Sequence, residues 1–296
     1  MMSDRRRLSR PLYLVATLVA LLSLQSHAAT RSFIWKVSNA RGSVYLAGSV
    51  HLLTPDYYPL APAFQTAFDN SELLVEELDM GEMMSSESQM KMLTLGMLPA
   101  GQTLDRVVSR ETYLAVTEKF AELGMPVEPM KQFKPWLLAL TLQALEWQKA
   151  GFDADLGVDK HLYDLARQAN KPVQGLETIA FQISRFNEMP APLQDRMLSE
   201  TLKELETTKT SFLTIADAWK NGDVRAVEEI VLADLKSEPD MYQRLLVERN
   251  RTWLPQIEAL FARPHPSLIM VGAAHLVGSD GLLEMLKAKG YTLEQM

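Results

Sequence analysis

Two histidines stand in matching surroundings at opposite ends of the 296-residue chain. The segments "VYLAGSVHLLTPD" and "LIMVGAAHLVGSD" both read as an apolar strand, a Gly, two small or β-branched residues, His-Leu, three further residues and Asp. They pair Gly48 with Gly272 and His51 with His275. Open parallel sheets bind ligands beyond the carboxyl ends of their strands. Two such turns on neighbouring strands would bring two imidazoles together for metal ligation or acid–base catalysis. The alternative is two coincidentally similar turns, with each His capping a helix or bonding to a loop carbonyl.

An acidic strand end supplies the carboxylates that a metal or hydrolytic site needs. The run "LLVEELD" offers Glu76, Glu77 and Asp79, and strand alternation predicts Glu77 and Asp79 on one face and Glu76 on the other. Buried carboxylates are costly unless they are paired or bound to metal. The competing interpretation is a strand end that emerges into water.

The remaining pattern predicts the elements that must position these residues. Strands are expected over 33–38, 43–48, 72–78, 171–177, 267–272 and 291–295. Helices are expected over 61–70, 110–123, 134–150, 154–169, 191–208, 212–221, 223–235, 240–262 and 281–289. The fold class predicted is α/β, with a central mixed or mostly parallel sheet built from N- and C-terminal strands and a large helical insertion at about 100–262.

The first 28 residues have the pattern of a secretory signal peptide: an Arg cluster, a short apolar run and Ser-His-Ala as a cleavage site. The apolar run is too short to span a bilayer comfortably, although an uncleaved anchor is the alternative. We therefore predict a single mature domain over 29–296, exported across the inner membrane to the periplasm, with no stable membrane insertion after cleavage.

The composition excludes several classes of binding partner and of catalytic chemistry. The chain has 30 basic and 37 acidic residues; without the four Arg and one Asp of 1–28 it has 26 and 36, a net charge of −10. This balance argues against nucleic acid and anionic lipid as partners. With no cysteine, disulfides and thiolate chemistry are excluded. No P-loop, G-x-S-x-G or H-E-x-x-H motif occurs in the sequence.

The motifs, taken together, resemble the TraB/GumN family, which includes the Tiki proteases. The resemblance rests on "LAGSVHLLTPDYYPL", "SELLVEELD", "GVDKHLYDLA", "KPVQGLET", "ERNRTW" and "VGAAHLVGSDGLLEMLKAKGY", in the family's order and over essentially the whole mature chain. It implies a fold related to the erythromycin esterase and ChaN-like group, and metal-dependent peptidase activity. By motif, the implied metal and catalytic residues are His51, His275 and Glu77.

The resemblance also draws attention to residues outside the histidine turns. Asp159, Arg249 and Asn250 are candidates for substrate binding or for supporting the site, as are Gly48 and Gly272. For the charged run at 248–251 the competing interpretation is a solvated helix face.

These observations predict an exported metal-dependent hydrolase that acts on a peptide or protein substrate. Mn²⁺, Co²⁺ or Zn²⁺ would polarise the scissile carbonyl and acidify a bound water. Glu76 or Glu177 would accept the proton. A metal-free variant would use one His as general base. The alternative from another class is a non-catalytic envelope protein that binds haem, metal or a peptide.

Overall fold

The sheet takes three strands from the N-terminal part of the chain, one from the middle and two from the C-terminal part. The computed structural model describes residues 31–205 and 208–296; the predicted signal peptide at 1–28 lies outside the described residues. Within those ranges the strands are β1 Ile34–Asn39, β2 Gly42–Ser49, β3 Leu73–Glu76, β4 Val173–Gly175, β5 Ser267–Gly272 and β6 Thr292–Gln295.

The strand order across the sheet is β4-β3-β5-β2-β1-β6. The first four strands in that order run parallel, β1 runs antiparallel to β2, and β6 runs antiparallel to β1. β3 and β5 are buried along their whole length, as expected for parallel strands covered on both faces. The predicted α/β class with a mixed sheet is confirmed.

The β1–β2 hairpin turns between the two strands predicted over 33–38 and 43–48. Asn39 Oδ1 accepts hydrogen bonds from the backbone N–H groups of Arg41 and Gly42, so the Asn side chain closes its own turn. The hairpin then pairs Ile34 with Ala47. Because the next neighbour of β2 is β5, residues more than 200 positions apart lie side by side in the sheet.

The helices follow the expected pattern in the middle of the chain, and several short ones are added. Their bounds in the described residues are α1 Pro62–Asp69, α2 Met80–Met83, α3 Ser86–Gly96, α4 Leu104–Val107, α5 Arg110–Glu122, α6 Pro135–Lys149, α7 Val158–Gln168, α8 Ile179–Asn187, α9 Ala191–Glu204, α10 Thr208–Lys220, α11 Val224–Ser237, α12 Pro239–Tyr242, α13 Glu248–Leu260 and α14 Leu282–Ala288.

Two predicted helices are subdivided. The one expected over 154–169 begins as a short 3-10 turn at Ala154–Leu156 before α7. The one expected over 240–262 contains a π-helical turn at Gln243–Val247 between α12 and α13. Single π turns inside helices are frequent at functional sites, and this one leads directly into Glu248 and Arg249.

The helical middle is tied to the sheet by its own strand. β4 lies inside the range 100–262 and pairs with β3 at the edge of the sheet. The main apolar core surrounds the sheet, and a second cluster packs α5, α6 and α9 through Phe120, Leu138 and Leu198. No helix among the described residues has the length and apolar character that crossing a membrane requires.

Candidate functional site

The pairing of β2 with β5 brings the two histidine turns to one edge of the sheet. Ser49 lies opposite Gly272 in the parallel register, and each strand ends at that point. β3 is the other neighbour of β5, with Glu76 opposite Met270. Three consecutive strands therefore end together, and His51, His275 and Glu77 each follow one of them.

These three side chains surround the α-carbon of Gly272. A methyl carbon built on Gly272 would lie 3.2 Å from Glu77 Oε1, 3.5 Å from His51 Nε2 and 3.7 Å from His275 Cδ2. The Gly272 N–H also donates to Glu77 Oε1 at 2.6 Å. Glycine keeps this space open because it has no Cβ. The residues predicted from two distant turns and a strand end thus meet at one point.

His51 is the exposed member of the group, with 61% of its side chain accessible, and it pairs with Asp159. The Nδ1 atom lies 2.8 Å from Asp159 Oδ2, which comes from the first turn of α7. The negative charge of Asp159, with a smaller contribution from Glu77, raises the pKa of His51 to about 9. Asp159, singled out only through the family resemblance, orients the imidazole and leaves Nε2 directed towards the Gly272 space.

His275 is the buried member, 4% exposed. Asn250 donates through Nδ2 to the carbonyl oxygens of His275 and Asp280, so its Oδ1 accepts, and it lies 2.7 Å from His275 Nδ1. The proton of the neutral ring therefore resides on Nδ1, and Nε2 carries a lone pair. Burial lowers the pKa of His275 to about 3, with a further contribution from the charge of Arg249.

Arg249 fills the centre of the cluster and is only 8% exposed. Its Nη2 lies 2.5 Å from Glu77 Oε2 and 2.8 Å from Glu177 Oε1, and its Nη1 donates to His275 Nε2 at 3.0 Å. The solvated-face interpretation of the charged run does not hold for this residue. The guanidinium neutralises two buried carboxylates, as its planar fork suits.

The two carboxylates bound to Arg249 respond differently to burial. Burial by itself would raise the pKa of Glu77, but the charges of Arg249, His275 and His51 outweigh it and hold that pKa below its usual range. Burial raises the pKa of Glu177 despite the opposing charge of Arg249. Glu177 also accepts a hydrogen bond from Trp253 Nε1 at 2.9 Å. Glu177 therefore fixes Arg249 and Trp253 in place, and its oxygens are already in use.

Glu76 is buried, 2% exposed, and its Oε2 accepts a long 3.4 Å bond from the Met80 N–H. Burial raises its pKa to about 9, with a contribution from the charge of Asp159. At neutral pH the carboxyl holds its proton, which is the opposite of what a general base requires. The predicted use of Glu76 as proton acceptor is therefore not favoured.

The alternation expected for the acidic run stops with the strand. β3 ends at Glu76, and beyond it the chain turns, so Glu76 and Glu77 line the same cavity. Asp79 instead caps α2 by accepting from the N–H groups of Gly81 and Glu82. The predicted division of faces is wrong because alternation applies only while the strand continues.

The two matched glycines have different roles. A Cβ on Gly48 would lie 2.4 Å from Phe33 Cδ1, and the Gly48 carbonyl accepts from Trp219 Nε1 at 2.7 Å. Gly48 thus permits close packing beneath the sheet edge, whereas Gly272 borders the reactive side chains. The two glycines therefore occupy matching positions at the ends of β2 and β5, but their surroundings differ.

Sequence reasoning missed Trp253 as part of the site. Its ring centre lies 4.5 Å from that of His275 and 4.6 Å from the Arg249 guanidinium carbon. Trp253 follows Arg249 by four residues in α13, a spacing that places both on one helix face. This four-residue spacing from Arg249 could have identified Trp253 from the sequence.

Comparison with protein-family models assigns the chain to a family. A family model described as TraB/PrgY/gumN matches residues 33–295. The chain belongs to the TraB/PrgY/gumN family. The resemblance stated from the motifs is confirmed, and the two Gly-x-x-His turns lie inside the matched range.

Relatives in the TraB/PrgY/gumN family include bacterial and animal proteins. The chain is 28% identical over 246 residues to the uncharacterized protein YbaP of Escherichia coli (strain K12), covering 82% of this chain and 87% of YbaP. It is 22% identical over 340 residues to a metalloprotease TIKI homolog of Amphimedon queenslandica, covering 92% of this chain and 62% of that protein. It is 23% identical over 313 residues to metalloprotease TIKI1 of Danio rerio, covering 89% of this chain and 63% of TIKI1. No solved structure matches the chain significantly.

The names of the TIKI relatives raise the question of whether these side chains suit a metal ion. The donor chemistry fits: two imidazole Nε2 atoms and a carboxylate oxygen are ligands that Zn²⁺, Mn²⁺ and Co²⁺ accept. Asp159 and Asn250 hold the second nitrogens of the imidazoles, as partners of metal-bound histidines do. In the described part of the chain no three acidic or histidine side chains are already arranged to hold an ion; Arg249 engages the His275 and Glu77 atoms that an ion would use.

Proposed function

We propose that this TraB/PrgY/gumN-family protein is a metal-dependent hydrolase that cleaves peptide bonds. The observation that carries the proposal is the convergence of His51, Glu77 and His275 on the Gly272 α-carbon. His51 Nε2 and His275 Cδ2 lie 3.5 and 3.7 Å from one point, so the two rings border the same space, and binding of an ion whose bonds are about 2 Å long would draw them closer together.

In this proposal His51, His275 and Glu77 hold a divalent ion, Mn²⁺, Co²⁺ or Zn²⁺. When bound, the ion supplies Lewis-acid polarisation of the scissile carbonyl and a water of lowered pKa. Asp159 and Asn250 hold the Nδ1 atoms of the two imidazoles; to bind the ion, His51 would release its Nε2 proton and the His275 Nε2 would exchange its contact with Arg249 for the metal. Arg249, displaced from His275 but still paired with Glu177, is available to stabilise negative charge on the substrate.

Glu76 has a role that its burial suggests. A carboxyl that keeps its proton at neutral pH can donate it, as a general acid must. Glu76 lines the same cavity as His51 and Glu77. Glu76 would serve as proton donor to the leaving nitrogen, in place of the base role expected from the sequence, only after a rearrangement that exposes its Oε1, which has essentially no accessible surface.

The site of action proposed is the periplasm, reached by export. The support is the Arg-rich, apolar and Ser-His-Ala pattern of residues 1–28. The partner proposed is a peptide or an exposed segment of a protein, in keeping with the word metalloprotease in the names of the TIKI relatives.

A second candidate is a metal-free hydrolase in which His51 acts as general base after losing its proton, so that activity would rise with pH towards the His51 pKa of about 9. The observation that favours it is the His51–Asp159 pair, 2.8 Å apart, with the His51 side chain open to solvent. A carboxylate that orients an exposed imidazole is an arrangement general-base catalysis uses. Glu77 and Arg249 would then position the substrate.

The experiment is metal analysis of the purified protein followed by hydrolysis of a mixed peptide library. We expect about one equivalent of a divalent ion and cleavage that is abolished by chelation and in His51→Ala. The matched control is His265→Ala, since His265 lies apart from the site and pairs with Glu72 at an exposed position. Cleavage that survives chelation selects the metal-free candidate. Bound metal without cleavage of any peptide contradicts both and leaves the non-catalytic binding protein.

A further inference from the structure

A cavity of about 390 Å³ opens beside His51. His51, Glu76 and Glu77 line it on the side of the site, and its other walls are mainly apolar: Leu52, Leu78, Met80, Met83, Ala144 and Trp147. These walls come from the turn after β2, the end of β3, the short helix α2 and the last two turns of α6. A group bound in the cavity therefore lies next to the catalytic residues proposed above.

The charges around the cavity are already neutralised by partners. Asp159 pairs with His51 at 2.8 Å, and Lys160 pairs with Asp164 at 2.6 Å. Glu77 is bound by Arg249. A charged occupant would give up its hydration without gaining a free counter-charge, which is costly. The cavity consequently favours an uncharged occupant.

Glu76 is the exception that needs separate consideration. Its Oε1 has no hydrogen-bond partner, but that atom has essentially no accessible surface. The oxygen lies beneath the cavity wall and cannot reach an occupant without a rearrangement. If such a rearrangement took place, Glu76 could bind a cationic side chain. A cation is therefore the competing occupant, and the binding experiment includes a lysine derivative.

The rim of the cavity is adaptable. Met83 is 36% exposed, and Ala144 is also exposed on its face of α6. Methionine side chains fit apolar groups of different shape because they are unbranched and polarisable. Apolar pockets with a few polar groups at one side are typical of ligand-binding sites.

We propose that this cavity is a specificity subsite that binds a large apolar side chain of the peptide substrate, such as Leu, Met or Phe, next to the bond that is cleaved. The proposal rests on the proposed peptide hydrolysis, and it names the substrate class for that site. It makes Met80, Met83, Ala144 and Trp147 determinants of specificity, apart from the residues that carry out the chemistry.

The first arm of the test measures binding without turnover. Protein labelled with ¹³C at the methionine methyl groups is titrated with the N-acetyl amides of phenylalanine, leucine, lysine and glutamate. We expect the phenylalanine and leucine amides to shift the Met80 and Met83 signals, and Met90, which is 64% exposed and outside the cavity lining, to serve as the unchanged reference. Larger shifts with the lysine amide would instead assign the cavity to a cation bound through Glu76.

The second arm fills the cavity. In Ala144→Trp the indole would fill the cavity. Because residue 144 is exposed, the substitution does not overpack the core. The matched control is Ala121→Trp, the same substitution at an exposed position of α5. We expect Ala144→Trp to lower hydrolysis at large apolar residues by about 10- to 200-fold, the range for pocket discrimination of apolar groups, and to shift cleavage towards Ala and Gly. Ala121→Trp keeps the wild-type profile.

The two arms separate the failure of the subsite from the failure of the proposed function. Cleavage by the wild type with no enrichment of apolar residues at any position overturns the subsite and leaves the hydrolase. Selective binding of apolar amides without cleavage overturns the hydrolase and leaves an apolar binding site. The absence of both binding and cleavage overturns both proposals. An Ala144→Trp variant whose cleavage profile equals that of Ala121→Trp overturns the subsite alone.

Discussion

Asn250 Oδ1 lies 2.7 Å from His275 Nδ1, and this one contact determines which nitrogen of His275 carries the proton. The amide group of Asn250 donates to two carbonyl oxygens, so its oxygen must accept. The chain thereby fixes the His275 ring through Nδ1 without using a charged partner there, and leaves Nε2 to accept from Arg249 Nη1. His51 obtains the same orientation from a carboxylate, Asp159.

Replacing Asn250 by Ala should release the His275 ring and leave buried polar groups without partners. We expect metal affinity to fall about 10- to 100-fold, the usual loss when a partner of a metal-bound His is removed, and stability to fall by about 1–3 kcal/mol. Calorimetric metal titration and urea unfolding measure the two effects. Asn221→Ala, at an exposed helix end, is the control; equal losses in both variants would contradict the assignment.

The matched glycines should respond differently to the same substitution. Gly48→Ala forces a methyl group into Phe33 and should cost about 1–3 kcal/mol of stability through overpacking. Gly272→Ala places the methyl 3.2 Å from Glu77 Oε1, a contact that small shifts can relieve. It should leave stability closer to wild type and reduce hydrolysis about 100-fold through misplacement of the reacting groups. Thermal unfolding and library hydrolysis of both variants test this contrast. The prediction is contradicted if Gly272→Ala loses more stability than Gly48→Ala, or if Gly48→Ala loses more hydrolysis per folded molecule.

The environment of each glycine illustrates what the sequence could and could not predict. The repeated strand-Gly-x-x-His pattern was enough to predict that β2 and β5 end together, because parallel strands share one carboxyl edge. It could not predict that His275 is buried under α13 while His51 faces solvent, since this depends on which helix covers each turn. Arg249 shows the same limit. A charged run on a helix reads as a solvated face until the neighbours of that helix are known.

Removing Arg249 should destabilise the fold strongly. Arg249→Ala leaves Glu177 without its counter-charge and Glu77 with only the charge of His51 nearby, and breaking a buried ion pair from one side costs about 3–5 kcal/mol. Arg225→Ala removes an exposed pair with Glu229 and should change the free energy of unfolding little, because water and salt screen such a pair. Urea unfolding of both proteins measures the difference, and a difference near zero would refute the central role of Arg249.

The buried carboxyl of Glu76 should give the protein a specific pH dependence. Its pKa is raised in the folded state from 4.5 to about 9, so between these values the folded protein holds a proton that the unfolded chain releases. Stability contributed by this group therefore falls as pH rises from about 5 to 9 and is constant below that range. Glu76→Gln removes the titrating group while keeping its shape.

Wild type and Glu76→Gln should consequently diverge with pH. We expect the stability of the variant relative to wild type to increase by roughly 1 kcal/mol per pH unit between pH 5 and 8. Urea unfolding at several pH values in this window measures the gap. Parallel curves for the two proteins would show that Glu76 is ionised in the folded state.

Asp159 should control the charge of His51. In Asp159→Asn the carboxylate that raises the pKa of His51 to about 9 is lost, and we expect that pKa to return towards 6.5. NMR titration of the imidazole signals measures it. His161, which packs against Tyr58 and does not bond to Asp159, as His51 does, provides an internal control whose titration should change much less. An unchanged His51 pKa would mean that another group sets its charge.

The order of the strands also limits when the site can exist. β5 lies between β2 and β3 in the sheet, yet it is synthesised about 190 residues after β3 and more than 200 residues after β2. A growing chain that has not reached residue 272 has no contact between the strand bearing His51 and the strand leading to Glu77. Every partial product of translation therefore lacks the assembled site, and whatever chemistry the site performs is withheld from the chain until its last strands are in place.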